Sequence, residues 1–180
     1  MAEDGDIKIY VGRRENENDE FETLSDNIKR NAQNGNSEKA KKLGELMAQV
    51  KPTEELTESS GLDLTASVLY QTRVLLTFVA EYVVQKNIGD KFLSDAVSSA
   101  MYDYLKANER GYYDNISDGS AFTFYLLALN KDGNLSDNVG KEFAMRCSIK
   151  SAEIESFGSK VFEYGIAKFT KLIEQAQFSK

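Results

Sequence analysis

The chain has 180 residues, enough for one domain with a sizeable core: 41% are hydrophobic, and ten phenylalanines and nine tyrosines supply large side chains. It contains no histidine and a single cysteine, which removes imidazole acid–base catalysis, Ser-His and Cys-His nucleophiles, thiolate-held zinc and iron–sulfur sites, and an internal disulfide. The net charge of −7 is concentrated at the start, where residues 1–60 hold 14 acids against 9 bases and residues 61–180 hold 15 against 13, a balance that weighs against direct nucleic-acid binding.

The N-terminus opens with Glu3, Asp4 and Asp6 rather than a basic segment followed by an apolar one, so a cytoplasmic protein without a secretory or mitochondrial leader is expected. Ile7-Lys8-Ile9-Tyr10-Val11 alternates with the period of a half-buried strand, the one good strand signal in the chain. A lone strand needs a partner edge, from a second copy or another segment, unless that end is simply mobile.

Phe21, Leu24 and Ile28 follow at helical spacing after a polar run, with Asp19 and Glu22 placed as a capping pair. Asn34-Gly35 marks a turn. Ala40, Leu43, Leu46, Met47 and Val50 then supply one face of a second helix that must stop at Pro52. Thr53, Glu54 and Glu55 resemble the capped start of one more short helix before Ser59-Ser60-Gly61. Residues 1–60 therefore read as an acidic strand and helical hairpin packed on or flanking the core, and 61–180 as the main bundle.

The central helix is expected from Asp63 to about Lys86. Leu64, Val68, Leu75, Phe78 and Tyr82 lie on one side and Leu69, Leu76, Val79 and Val83 on another, so other helices should surround it. Its apolar run Val74–Val84, 11 residues including Glu81, is too short and too polar to cross a bilayer. A stripe at four-residue steps, Arg73, Thr77, Glu81 and Gln85, must face solvent, a polar cavity or a partner. The clearest helical period belongs to Phe92 through Leu105.

Asn108 to Ser120 reads as a loop of turn-forming and charged residues that also carries Tyr112 and Tyr113. Ala121–Leu129 is apolar almost throughout, consistent with a buried helix, although its length alone permits a strand. After a polar loop, helices are expected over Asp137–Cys147 and Ser151 to about Gln177. Cys147 falls in an apolar pattern and reads as a buried small hydrophobe. Gly158 and Gly165 lie seven apart on one face of the last helix, which points either to a close helix crossing or to a local bend. The expected fold is all-α, an irregular bundle of six or seven helices with at most a short N-terminal β-strand.

No glycine-rich phosphate loop is present, since Gly140-Lys141-Glu142 puts Glu where Ser or Thr should bind magnesium. Asn130-Lys131-Asp132-Gly133-Asn134 alternates oxygen ligands as a calcium loop does, but Leu135 and Lys141 occupy the positions that need glycine and a bidentate acid. A plain turn is expected there, and no metal or cofactor.

Three functions remain. The first is a non-enzymatic interaction module, an acidic binder or inhibitor that presents Glu15, Glu17, Asp19, Glu20 and Glu22 to a basic, nucleic-acid-handling partner, with Tyr112 and Tyr113 as further interface residues. The second is a helical ligand-binding or carboxylate-dependent enzymatic domain with a pocket around Arg73, Thr77 and Glu81. The third is a self-assembling subunit whose strand and Gly158/Gly165 face make a homodimer.

Overall fold

The computed structural model describes residues 25–52, 56 and 64–179, and every regular element among them is helical. In chain order these are α1 (25–33), α2 (Asn36–Ala48), α3 (Ala66–Asn87), α4 (Lys91–Asn108), α5 (Arg110–Ile116), α6 (Ser120–Leu129), α7 (Leu135–Arg146) and α8 (Ala152–Ala176). The strand expected at Ile7–Val11 and the acids Glu15, Glu17, Asp19, Glu20 and Glu22 lie outside the described residues, as does the short helix expected from Thr53 apart from Leu56, which is helical.

Short polar side chains fix several helix starts by accepting from otherwise unpaired amides of the first turn. Thr65 Oγ1 accepts from the Val68 amide at 3.4 Å, Asp90 Oδ1 from Leu93 at 3.3 Å and Asn134 Oδ1 from Asp137 at 3.1 Å. Asn134 thus serves as a helix cap inside the turn that mimics a calcium loop. At the other end of α7 the chain reverses through Ser148, φ 58°, with the Ile149 amide donating to Ala144 O at 3.1 Å and Ser148 to Met145 O at 3.0 Å. That pair of bonds is a Schellman ending, made here without the usual glycine.

The bundle is built around α3, in which every residue from Val74 to Ala80 is buried. It packs against α8, α4, α6 and α7, while α2 lies along α4 and α7 along α8. These close crossings depend on missing side chains. A Cβ on Gly158 would stand 2.6 Å from Phe143 Cβ, and one on Gly165 would stand 2.9 Å from Val79 Cγ1. Gly140 likewise admits the backbone of α8 at Glu155, and Gly44 admits the α4 backbone at Val97. The Gly158/Gly165 face is therefore occupied within the chain, and both glycines are buried.

The hairpin α1–α2 is tied to the chain's far end by buried amides. Asn36 Nδ2 donates to Ser179 O at 2.8 Å and Asn36 Oδ1 accepts from the Ser179 amide at 2.8 Å. Asn36 Nδ2 also reaches Asn31 Oδ1 at 3.0 Å, and Asn31 Nδ2 donates to Asp90 Oδ2 at 3.2 Å. Asp90 therefore caps α4 with one oxygen and holds α1 with the other.

Two expectations are corrected. The loop expected from Asn108 to Ser120 contains α5, because Tyr112, Tyr113 and Ile116 recur at helical spacing and Ile116 is buried against the core. Burial of that face outweighs the weak helix propensity of Gly111 and Asn115; α5 brings the helices to eight among the described residues. In turn α6, expected to be buried, sinks only Phe122, Tyr125 and Ala128 into the bundle.

Candidate functional site

The polar stripe of α3 is split between two environments by α5, which crosses its first half. The Arg73 guanidinium pairs with Glu109 and lies 4.8 Å from the Tyr112 ring centroid. Thr77 Oγ1 and the Tyr112 hydroxyl are 2.7 Å apart, and the Tyr112 hydroxyl donates to Arg73 O at 3.2 Å. Arg73 and Thr77 thus latch α5 to α3, while Glu81 lines a groove on the other side of that latch. Tyr112 is packed back on the bundle, and burial pushes its pKa up to about 12 against the opposing pull of Thr77 and Arg73. Tyr113 is half-buried, its ring 5.9 Å from Lys106 Nζ.

Beyond the latch, Glu81 and Gln85 face α4 across an open groove of about 430 Å³. Asp95, Ser98, Tyr102 and Asp103 form its α4 wall, and Tyr113 closes one end. Gln85 Nε2 donates to Glu81 Oε1 at 3.2 Å, whereas Glu81 Oε2 and Ser98 Oγ are buried with no partner among the described residues. Burial, reinforced by the Glu81 charge, drives the Tyr102 phenol well above its ordinary range, so it stays a neutral donor. No cluster of acids among the described residues has the convergence to hold a metal ion.

The other unusual surface is α6. Its inward face is spent on Phe122, Tyr125 and Ala128, with Phe78 and Tyr125 ring centroids 5.3 Å apart. Phe124, Leu126 and Leu127 are left 42%, 50% and 56% exposed on a ten-residue helix with no charged side chain. Arg146 stacks 3.9 Å from the Phe124 centroid and pairs with the buried Glu142 at 3.0 Å, which fixes one border of this apolar face to α7.

Family models, curated proteins and solved structures give no match to the chain. Among the described residues no helix is long and apolar enough to cross a membrane. Cys147 is unpaired and buried, and burial raises its thiol to about 11, which leaves it the unreactive small hydrophobe expected from its neighbours.

Sequence reasoning singled out Glu81 but missed Ser98, Tyr102 and Asp103 opposite it. Their spacing on α4 carries a signal only once the α3–α4 pairing is known. It also missed the open face of α6, because an apolar run looks the same whether one side or all sides are covered.

Proposed function

We propose that this chain is a non-enzymatic protein-interaction module that docks a basic partner through the outer face of α6. The observation that carries this reading is the exposure of Phe124, Leu126 and Leu127 on one uncharged helix. Large exposed apolar groups clustered on one element mark interaction surfaces, since solvating them is unfavourable by roughly 1.5–3 kcal/mol per large side chain. Charge selects the occupant. A second copy would add another net −7 to the complex as a whole, whereas a basic protein complements the chain's charge. The acids Glu15, Glu17, Asp19, Glu20 and Glu22 add the long-range attraction that speeds encounter. The complete lack of histidine supports the non-enzymatic part, and the single buried thiol of Cys147 suits the reducing cytoplasm.

The test pairs the full chain with a synthetic amphipathic helix that has a leucine stripe and a lysine face. Calorimetry should show binding that weakens at least about tenfold in a Leu126→Glu, Leu127→Glu double variant. Neutralising the five N-terminal acids should flatten the salt dependence without abolishing the interaction. Binding unaffected by the α6 changes, or concentration-dependent dimerisation lost in the double variant, would overturn the assignment.

A further inference from the structure

A separate surface, independent of α6, has the features of a built ligand site. We infer that the groove between α3 and α4 binds a linear aliphatic polyamine, with Glu81, Asp95 and Asp103 receiving its ammonium groups and Ser98 accepting an additional N–H. Three observations converge on that chemistry. Among the described residues, three carboxylates line the groove and no lysine or arginine does. Its volume of about 430 Å³ lies within the usual range of small-molecule sites. Ser98 is only 9% exposed, yet its hydroxyl has no partner among the described residues, and the same is true of Glu81 Oε2 directly across from α4. A buried polar atom without a partner is unfavourable, so both atoms call for a hydrogen-bond donor that enters the groove.

The spacing selects among cations. Asp95 and Asp103 are eight residues apart on one helix, which at 1.5 Å per residue places them about 12 Å apart along its axis. Charges so separated suit several ammonium groups joined by methylenes better than one divalent ion, and no group of acids converges on a metal-sized site among the described residues. Tyr102 and Tyr113 add aromatic surface to the lining, which suits methylene segments between ammonium groups. Lys91 pairs with Asp95 at 3.2 Å, but both side chains are exposed and the pair is weak enough for a bound ammonium to replace it, while Lys106 lies 5.9 Å from the Tyr113 ring centroid.

Calorimetric titration of the full chain with spermidine at low ionic strength tests the inference. One equivalent should bind, and Glu81→Gln and Asp103→Asn should each weaken it about tenfold, as expected for a lost charge-assisted hydrogen bond. Asp103 is exposed, so its variant stays informative if Glu81→Gln perturbs the fold. Neutralising Glu15, Glu17, Asp19, Glu20 and Glu22, or the α6 double change, should leave the affinity within about twofold. The inference fails if spermidine gives no heat, if magnesium at matched ionic strength competes equally, or if the N-terminal neutralisation abolishes binding while the groove variants do not. It also fails if a lysine-rich peptide occupies the groove far more tightly than spermidine, because the ligand would then be a protein.

Discussion

The hydroxyls of Thr77 and Tyr112 stand 2.7 Å apart, and through them a seven-residue helix is fastened to the centre of the bundle. Tyr112 can donate in this latch only while it is protonated. Its pKa is raised from 10 to about 12, chiefly by burial, with Thr77 and Arg73 opposing and Tyr70 and Glu109 adding to the rise. A folded-state value above the unfolded one means that stability is complete below pH 10 and is lost as pH climbs toward 12, at about 1.4 kcal/mol per pH unit for one proton. Tyr102 and Tyr125, also raised by burial, steepen the same loss. Urea midpoints measured from pH 8 to 11.5 should fall across that window, and fall less steeply in Tyr112→Phe.

Asn36 exchanges two hydrogen bonds of 2.8 Å with the backbone of Ser179 while its amide also serves Asn31. Asn36→Ala should destabilise the fold by about 2–3 kcal/mol, since it leaves buried partners unsatisfied as well as removing the bonds. Hydrogen exchange should locate the damage: the Ser179 amide loses protection first, followed by the α1–α2 hairpin.

Glycines of similar appearance in sequence should respond with opposite signs. Gly158→Ala drives a methyl into Phe143, whose Cβ would be 2.6 Å away on a neighbouring helix, and should lower stability by about 2 kcal/mol or more. Gly111→Ala meets no heavy atom within 4 Å and should raise stability by about 0.5 kcal/mol through reduced chain entropy. Thermal melts of the two variants measure both effects.

The helical framework was legible because apolar spacing on α2, α3, α4 and α8 depends on local order alone, whereas the caps Thr65, Asp90 and Asn134, which set where α3, α4 and α7 begin, were seen only in the structure. What escaped the sequence was tertiary. Arg73, Thr77 and Glu81 share one stripe, yet α5 takes the first two and leaves the third to the groove, an outcome set by where Tyr112 packs. Gly158 and Gly165 left a crossing and a bend equally open until Phe143 and Val79 were found against them. Gly44 and Gly140 play the same part without such a pairing to draw notice. Ser98 looks like any helical serine until Glu81 is seen across from it.

Docking through the open face of α6 is tested most directly by methyl NMR of the leucine-labelled full chain. On addition of the leucine–lysine helix, Leu126 and Leu127 should show the largest shifts, while Leu75 and Leu105, buried in the core, should barely move. Shifts confined to other surfaces, with Leu126 and Leu127 unchanged at saturation, would contradict it.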